Sequence, residues 1–576
     1  MKTYILGINC VYHESSAALL KNGDIIGAVE EERFNRIKHG KKSDIETPGV
    51  CPLQSIDYLL KKEQITMKDI DKIGISFEPY SRLRNIEIDD HYERDNWGSE
   101  KGEKLFHSRC KRITPLLGNY YETKLENKIM FIPHHLCHSA SAFYPSGFKN
   151  SAILSIDGIG ENYTTSLSLG HETIIDEVKN MEYPHSVGFL WEKMSQFLGF
   201  TEYDASKVMG LGYLKHTKDF KIQYEMFKNI VYVSKGNFTI NNNIIRFRTN
   251  DFSELEKVFN ISQRQPGGEI TTEHIKIASA LQKITNDIIL SLTNYLYDYV
   301  VQYKNEKKNL CLAGGVALNC VSNYEILKQN KWNNIFVQPA AHDAGTALGA
   351  ALWLWHVHFL NKRKYTMNHP YLGPSYTDKE ILNELKKHDD LEFTSYADIE
   401  QVAANLIEHG CVVGWFQGSM EFGPRALGNR SMLADPRYKN TKDLINFSVK
   451  NREMFRPLAP SVLAEHVDKW FDRSKTKTIS DEWMLFAYPV KEDKKQYIPA
   501  VVHEDGTARI QVVHKNKNPK YHKLISEFYL KTEIPMVLNT SLNVQEPIVC
   551  SPQDAIDTFK KSNLDYLVMS NYLIEK

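Results

Sequence analysis

Three apolar segments, each leading into glycine or other small residues, constrain the fold of this chain more than any other feature. Asp157-Gly158 and Gly314-Gly315 directly follow two of these segments, and Asp343-Ala344-Gly345 lies a few residues beyond the third. Apolar runs of this length, bounded by turn residues, are typical of buried strands. Because glycine at a strand end lets phosphate oxygens approach backbone N–H groups, the pattern predicts an α/β fold with a phosphate site at these strand ends.

Two hairpin patterns accompany these strand ends. The chain begins with predicted strands at 4–10 and 17–20 and the hairpin turn Asn22-Gly23, and a second strand meander, at 165–178, follows the Asp157 turn. A duplicated ββαβ arrangement of this kind describes the two-lobed fold of actin and the sugar kinases, in which a nucleotide lies between the lobes. Because a fold alone names no reaction, the activity stays open at this level.

Three other segments are predicted to be irregular. Tyr80–Leu117 is polar and shows no sustained period, and Glu202–Gly212 is rich in small residues, as loops are. The charged stretch Glu30–Gly40 is either a solvated loop or the mouth of a site for a polar substrate, and its composition favours the solvated loop.

A pair of histidines suggests a metal site. His134 and His138 are four residues apart, so on a helix both imidazoles leave the same face about one turn apart. His135 stands where a metalloprotease helix of the His-Glu-x-x-His type has its glutamate, which excludes that class. Histidines at this spacing are more often structural, but Asp157 at the end of a buried strand strengthens the metal interpretation. His13 falls on a predicted turn, where a surface or capping role is the alternative.

The bulk composition excludes several classes of protein. A length of 576 residues predicts two or more hydrophobic cores, with the linker expected at 360–372. Lys+Arg and Asp+Glu are equal at 71 each, which argues against a nucleic-acid partner. The 8 cysteines are scattered, so neither a disulfide framework nor a zinc ribbon is predicted. The first apolar run is too short for a signal peptide and no run reaches the length of a membrane span, so we expect a cytoplasmic protein.

A second polar cluster lies in the C-terminal part of the chain. Gln417–Ser431 contains Arg425 and Arg430 among three glycines and a proline. Arginine beside open backbone suits bidentate binding of phosphate or carboxylate. Further basic and small polar residues lie near the turns that follow: Lys450, Arg456, Arg509, Ser541 and Asn543. Scattered basic residues are often simply exposed, but the proline- and glycine-bounded setting of this set predicts a pocket for a multiply anionic ligand.

Motifs in both halves of the chain resemble those of the O-carbamoyltransferase family, which includes NodU of nodulation-factor synthesis and enzymes that decorate antibiotics. The C-terminal motifs are Met420–Ser431, Phe455–Ser461 and Leu538–Asn543. The N-terminal motifs are His134–His138, Asp157–Glu161, Lys207–Leu211, Gly314–Asn319 and Asp343–Gly349. The resemblance runs through nearly the whole chain in the same order.

The resemblance implies two domains and two chemical steps. Residues 1–364 would form an actin/sugar-kinase-like (ASKHA) carbamoyl-transfer domain, and residues 365–576 a YrdC-like domain. The YrdC-like domain would make carbamoyladenylate from carbamoyl phosphate and ATP, with Mg²⁺ accompanying the ATP. The N-terminal domain would then transfer the carbamoyl group to a hydroxyl of a small-molecule acceptor, a sugar or natural product. The alternatives are a tRNA threonylcarbamoyl-transfer protein and a sugar-kinase-like nucleotide-binding protein.

The resemblance also implies roles for individual residues. The metal would be iron(II), although manganese and zinc also suit imidazole and carboxylate ligands, and its ligands would be His134, His138, Asp157 and Asp343. His13 would be the general base in the acceptor site. Nucleotide binding in the N-terminal domain would involve Gly158, Gly160, Glu161, Lys207, Gly210, Gly314, Gly315, Val316 and Asn319. Carbamoyl phosphate and ATP in the C-terminal domain would be bound by Arg425, Lys450, Arg456, Arg509, Ser541 and Asn543.

Overall fold

The computed structural model describes residues 2–40, 51–85, 99–214, 219–303, 308–473 and 475–576. Its strands are β1 (Tyr4–Asn9), β2 (Ser16–Lys21), β3 (Asp24–Glu30), β4 (Lys72–Ile75), β5 (Ile129–Phe131), β6 (Asn150–Ile156), β7 (Tyr163–His171), β8 (Ile174–Glu182), β9 (Val231–Ser234), β10 (Asn237–Ile240), β11 (Asn309–Ala313), β12 (Asn334–Val337), β13 (Glu392–Ser395), β14 (Val413–Phe416), β15 (Arg430–Ala434), β16 (Ala459–Leu463), β17 (Lys477–Thr478), β18 (Ala487–Pro489), β19 (Thr507–Arg509), β20 (Gln511–Val513), β21 (Met536–Ser541), β22 (Tyr566–Met569) and β23 (Tyr572–Glu575). Its α-helices are α1 (Glu32–Asn35), α2 (Leu53–Glu63), α3 (Pro79–Asn85), α4 (Glu100–Lys111), α5 (Ile113–Tyr120), α6 (His134–Phe143), α7 (Val187–Phe197), α8 (Ala205–Leu211), α9 (Lys221–Ile230), α10 (Ser253–Phe259), α11 (Thr272–Tyr303), α12 (Cys320–Lys328), α13 (Ala344–Trp353), α14 (Asp378–Leu385), α15 (Ile399–Glu408), α16 (Asn440–Asp443), α17 (Val467–Trp470), α18 (Pro519–Thr532) and α19 (Pro552–Lys561).

The chain divides into two compact units. The first unit comprises Met1–Glu32, His39–Met367 and Thr476–Thr478. The second unit comprises Arg33–Lys38, Asn368–Lys475 and Ile479–Lys576. Each unit is built on mixed β-sheet with helices, so the predicted α/β class is confirmed. No helix in the described ranges is both long and apolar enough to cross a membrane.

The first unit contains the same sheet plan twice. One sheet has the order β3-β2-β1-β4-β5, with β1 antiparallel to β2 and parallel to β4. The other has the order β8-β7-β6-β11-β12-β17, with β6 antiparallel to β7 and parallel to β11. In both, a hairpin meander precedes parallel strands added beyond its first strand. The predicted duplication of a ββαβ lobe is therefore confirmed.

Small residues on α13 bring backbone segments together in the first unit. A Cβ placed on Gly7 of β1 would lie 1.8 Å from the carbonyl oxygen of Ala347, and one on Gly349 would lie 1.9 Å from that of Cys137 on α6. Real Cβ atoms do not approach other atoms so closely, so glycine is required at both positions. This packing holds the start of α6, which carries His134, beside the start of α13.

Two predicted irregular segments are helical. Tyr80–Leu117 contains α4, which buries Phe106 and Cys110 and also Glu103, whose carboxylate accepts two hydrogen bonds of 2.7 Å from Arg82. A charged residue on the buried face hides the helical period, so the prediction of an irregular segment was wrong. Glu202–Gly212 contains α8, which buries its last turn against neighbouring elements.

The charged stretch Glu30–Gly40 is not a solvated loop. Glu30, Glu31 and Arg33 are buried. The carboxylate of Glu31 accepts hydrogen bonds from the backbone N–H groups of Gln54 and Ser55, at 3.1 and 2.8 Å, and so caps the start of α2. The predicted solvated loop was wrong because the partners of these charges come from distant parts of the chain.

The second unit is organised around one mixed sheet with the order β13-β23-β22-β14-β15-β21-β16-β20. β15 is antiparallel to both β14 and β21, while β14 is parallel to β22. The segment Arg33–Lys38 packs with this unit, where Arg33 donates to the carbonyl oxygen of Gly423 at 3.1 Å and Arg36 to that of Ile548 at 2.8 Å.

Candidate functional site

Four side chains from three elements of the first unit converge on one point. The Nε2 atoms of His134 and His138 are 3.1 Å apart. Each Nε2 atom lies 3.4 Å from Oδ2 of Asp157 and 3.5 Å from Oδ1 of Asp343. All four side chains are buried. The structure therefore brings together the four residues for which a metal-binding role was predicted, and their ligand atoms lie within 4.8 Å of one another.

Hydrogen bonds outside this cluster orient its members. His134 Nδ1–H donates to the carbonyl oxygen of Ser76 at 3.0 Å, which leaves the Nε2 lone pair directed into the cluster. The backbone N–H of Gly315 donates to Oδ1 of Asp157 at 2.9 Å, which leaves Oδ2 directed inwards. A metal ligand is characteristically held by such an outer partner.

The spacing of the ligand atoms fits a metal ion. An ion about 2.0–2.1 Å from four tetrahedral ligands would separate those ligands by about 3.3–3.4 Å. Five of the six separations among the ligand atoms of His134, His138, Asp157 and Asp343 span 3.1–3.5 Å, and all six lie within 4.8 Å. Two imidazole nitrogens and two carboxylate oxygens suit iron, manganese or zinc, and the donor set does not choose among them.

The charges of the cluster also favour a cation. Burial would lower the pKa of His134, but the carboxylates of Asp343 and Asp157 outweigh burial and hold that pKa well above its ordinary value. Burial would raise the pKa of Asp157, yet His134 and His138 hold it well below its ordinary value. Two buried carboxylates thus require positive charge between them, which a divalent ion would supply.

His13 borders the cluster. Its Nδ1 atom is buried and lies 3.9 Å from Oδ2 of Asp343, while its side chain as a whole is 26% exposed. The neighbouring residue Tyr12 donates from its hydroxyl to the carbonyl oxygen of Gly160 at 2.6 Å, which ties this turn to the loop after β6. The imidazole of His13 therefore lies at the partly exposed border of the cluster, beside Asp343.

The glycines predicted to bind nucleotide have packing roles that the structure makes visible. Gly314 has φ of +86°, and a Cβ there would lie 2.2 Å from the carbonyl oxygen of Ile156. A Cβ on Gly160 would lie 2.7 Å from Nδ1 of His135, and one on Gly158 would touch Phe189. These contacts bring the loops after β6 and β11 close around the cluster.

The other predicted nucleotide residues are engaged by neighbours. Glu161 accepts hydrogen bonds from the backbone N–H groups of His134 and Glu78, at 3.0 and 2.7 Å, and so holds the start of α6. Lys207 pairs with Asp204 at 3.0 Å, and Gly210 is buried on α8. Val316 lies in the turn after Gly315, and Asn319 caps α12. Their part in nucleotide binding stays a prediction.

Sequence reasoning missed Glu192. This residue lies on α7, and its Oε1 atom is 3.9 Å from the position that a Cβ on Gly158 would take. Burial, and then the negative charge of Asp157, raise the pKa of Glu192 to about 8. A single glutamate on an amphipathic helix gives no sequence signal of this kind.

A cationic cluster lies in the second unit. Lys450 is buried, and its Nζ atom donates to Oγ of Ser541 at 3.2 Å and to Oδ1 of Asn543 at 2.9 Å. Burial, and then the positive charges of Arg452 and Arg456, hold the pKa of Lys450 well below its ordinary value. The structure therefore brings together Lys450, Ser541 and Asn543 as predicted, with Arg456 close enough to act on the lysine.

Arg452 joins this cluster and was missed by sequence reasoning. Burial, and then the positive charges of Arg456 and Arg509, lower its pKa to about 9. Arg456 pairs with Glu453 at 2.8 Å, so the cluster carries more cations than its carboxylate neighbours balance. A concentration of positive charge around the buried Lys450 is suited to a bound anion.

Arg425, in the loop before β15, and Arg430, the first residue of β15, have different settings. Arg430 is fully buried, donates to the carbonyl oxygens of Gln417 and Pro374 at 2.6 and 3.1 Å, and stacks over Phe416. The Nη1 and Nη2 groups of Arg430 are therefore used in holding neighbouring backbone, and a part for this residue in ligand binding stays a prediction. Arg425 is half-buried in its loop, and its predicted role stays untested.

Comparisons with known proteins cover both halves of the chain. Residues 4–352 match the family described as "Carbamoyltransferase N-terminus", and residues 404–576 match "Carbamoyltransferase C-terminus". Nodulation protein NolNO of Sinorhizobium fredii is 36% identical over 589 residues, covering 99% of this chain and 80% of that protein. The 3'-hydroxymethylcephem-O-carbamoyltransferase of Amycolatopsis lactamdurans is 31% identical over 279 residues, 48% of this chain and 49% of that protein. The crystal structure of HypF from T. kodakarensis gives a TM-score of 0.34 at 12% identity, over 63% of this chain and 48% of that one.

Proposed function

This chain belongs to the carbamoyltransferase family, and we propose that it is an ATP-dependent O-carbamoyltransferase that works in two steps. In the first step, the C-terminal domain, residues 365–576, makes carbamoyladenylate from carbamoyl phosphate and ATP. In the second step, the N-terminal domain, residues 1–364, transfers the carbamoyl group to a hydroxyl of a small-molecule acceptor. The cephem enzyme among its relatives carries a hydroxymethyl acceptor in its name, which supports an alcohol as the acceptor group.

One observation carries this proposal. The chain matches both the N-terminal and the C-terminal carbamoyltransferase models, and it contains a cluster of four candidate metal ligands and a separate cationic cluster around Lys450. Two chemical sites in one chain suit two successive reactions. A nucleotide-binding regulatory protein with the sugar-kinase plan would give no use to the cluster around Lys450.

Formation of carbamoyladenylate requires several anionic groups to lie side by side. Carbamoyl phosphate and ATP react with one water to give carbamoyladenylate, phosphate and pyrophosphate. The positive charge comes from Lys450, Arg452, Arg456 and Arg509. Burial and the repulsion of neighbouring cations leave the charges of Lys450 and Arg452 poorly compensated. An anion in this place relieves that repulsion, and charge-assisted bonds to arginine hold it in a fixed orientation. Ser541 and Asn543 fix the lysine from the other side.

Transfer to the acceptor requires a base and a stabilised leaving group. The Nε2 atom of His13 takes the proton of the acceptor hydroxyl as the oxygen attacks the carbamoyl carbon and the bond to AMP breaks. Asp343 faces the other ring nitrogen and stabilises the imidazolium that forms, an arrangement that general-base catalysis uses widely. His134, His138, Asp157 and Asp343 would hold the metal, which we propose to be iron(II) and which would supply Lewis-acid stabilisation of phosphate charge.

The test follows labelled carbamoyl through both steps. Wild-type protein, loaded with Fe(II) and given ATP, Mg²⁺ and [14C]carbamoyl phosphate with a panel of hydroxyl compounds, should carry label onto at least one of them. The His13→Ala protein should still release pyrophosphate but transfer at least roughly 100-fold more slowly. Full transfer by His13→Ala would refute the role of His13, and no labelled product from the wild type with any hydroxyl compound would count against alcohol acceptors.

A further inference from the structure

The turn that carries His13 is held in an unusual backbone conformation. Glu14 has φ of 54° and His39 has φ of 67°, both in the left-handed region that side chains other than glycine seldom adopt. Residues held in this region tend to cluster at functional sites, because the surrounding structure must maintain them against a conformational cost. Two such residues in contact beside the candidate base therefore call for a physical explanation.

These two residues are joined by both backbone and side-chain hydrogen bonds. The backbone N–H of Glu14 donates to the carbonyl oxygen of His39 at 2.7 Å, and His39 Nδ1 lies 2.5 Å from Oε1 of Glu14. The backbone N–H of His39 donates to Glu32 at 2.7 Å. Nδ2 of Asn9 donates to the carbonyl oxygens of His13 and Glu14, at 2.9 and 3.0 Å. The turn is thus fixed on both sides.

The side chains around the turn form a continuous contact. The ring of His39 stacks on that of Tyr203 with centroids 4.4 Å apart, and Tyr203 meets the ring of His13 edge-on at 5.8 Å. Burial would raise the pKa of Glu14, but His39, His342 and His13 outweigh it and hold that pKa below its ordinary value. Glu14 therefore remains ionised, and its carboxylate keeps the contact with His39 Nδ1.

We propose that Glu14 and His39 form a clasp that positions the His13 imidazole for proton transfer. This inference rests on the proposed function, in which His13 is the base. The Nδ1 atom of His13 faces Asp343 across 3.9 Å without a closer hydrogen bond, so Asp343 alone does not fix the ring. The clasp acts through the backbone and through Tyr203, and keeps the Nε2 edge of His13 directed to the acceptor. Glu14 and His39 are positioning residues that need not touch the substrate.

A test without substrate separates this inference from the proposed function. The probes are diethyl pyrocarbonate, which modifies accessible neutral imidazoles, and hydrogen exchange, both read by mass spectrometry on the full chain. In Glu14→Asn and His39→Ala we expect at least fivefold faster exchange in residues 11–16 and a change of at least threefold in the rate of His13 modification. Asparagine accepts the left-handed conformation, so the first variant removes the carboxylate without adding backbone strain.

Two matched variants complete this test. Glu14→Asp keeps the carboxylate and should lie closer to wild type than Glu14→Asn on both readouts. His522→Ala removes a comparable histidine–glutamate pair in the second unit, where Nε2 of His522, on α18, lies 3.0 Å from Oε1 of Glu465. This variant should leave the reactivity of His13 unchanged. Wild-type exchange and wild-type His13 reactivity in both Glu14→Asn and His39→Ala would overturn the clasp, as would an equal effect of His522→Ala.

Kinetics then distinguish positioning from acceptor binding. With any hydroxyl compound that the wild type carbamoylates, Glu14→Asn should lower kcat at least tenfold and leave KM within twofold, with pyrophosphate release in the first step unchanged. A raised KM with an unchanged kcat would overturn the inference, because it would place the pair in acceptor binding. If the wild type makes no carbamoyladenylate, the proposed function fails, while the substrate-free measurements still decide whether the clasp exists.

Discussion

The substitution Gly349→Ala tests how packing between two helices creates the candidate metal site. Gly349 lies within α13, the helix that Asp343 immediately precedes. It packs on α6, which carries His134 and His138. A methyl group at this position would lie 1.9 Å from the carbonyl oxygen of Cys137, whereas real Cβ atoms stay beyond 3.0 Å. The two helices must therefore separate by about 1.1 Å, the difference between these two distances.

This separation is large compared with what a metal site tolerates. Distances in such a site hold to about ±0.2 Å, so a movement of about 1 Å between the histidine pair and Asp343 removes one ligand from reach. Overpacking of a close contact also costs about 1–3 kcal/mol of unfolding free energy. We expect Gly349→Ala to bind Fe(II) at least tenfold more weakly than wild type and to unfold at lower denaturant concentration.

The assay measures metal content after anaerobic loading and desalting, beside unfolding in urea. The matched control is Gly212→Ala, which adds the same methyl group to a glycine of helical backbone in the same unit, where the nearest atom lies 3.3 Å away. The control should lose little stability and retain its metal. Wild-type metal content and stability in Gly349→Ala would refute the argument that this contact sets the spacing of the ligands.

Three further predictions concern single side chains. His138→Ala should bind metal more than roughly 100-fold more weakly, since it removes one of four converging ligands. It should still release pyrophosphate at the wild-type rate. Loss of both metal binding and pyrophosphate release would contradict separate sites for the two steps. Lys450→Met should lower pyrophosphate release at least roughly 100-fold by removing a buried cation, while Lys439→Met, at an exposed position, serves as the control. Glu192 has its pKa raised to about 8, so the folded state keeps a proton that the unfolded state loses near pH 4.5, and stability falls as pH rises from about 4.5 to 8. Glu192→Gln lacks this loss, so the difference in unfolding free energy between variant and wild type should grow by ~2 kcal/mol or more from pH 5 to pH 8, and an equal difference at both pH values would contradict the assigned burial.

The sequence predicted well those features that depend on residues close together in the chain. The strands before Asp157 and Gly314 are short apolar runs followed by glycine turns. The pair His134 and His138 lies on one face of α6, as the spacing requires. Asp157 and Asp343 converge because they follow β6 and β12, which run parallel in one sheet, so that their ends meet at one edge. The histidine pair follows β5 of the other sheet, and the packing of α6 against α13 brings it to this edge.

The features that the sequence missed depend on distant partners. α4 buries Glu103 because Arg82 supplies its counter-charge, and no local pattern reveals that pairing. Arg430 and Arg425 are five residues apart in one motif, yet the Nη1 and Nη2 groups of Arg430 donate to backbone carbonyls. Arg452 joins the cationic cluster because Arg456, in the turn before β16, and Arg509, at the end of β19, lie near it. Such roles follow from tertiary structure.

The most direct test of the account is the identity of the nucleotide products in the absence of acceptor. Wild-type protein incubated with ATP, Mg²⁺ and carbamoyl phosphate should release pyrophosphate in a burst of about one equivalent per chain, and mass spectrometry should detect carbamoyladenylate on the protein. Carbamoyl phosphate should be required for this burst, and the Lys450→Met protein should lack it. Release of ADP and phosphate instead of pyrophosphate, or a burst independent of carbamoyl phosphate, would contradict the proposed two-step transfer.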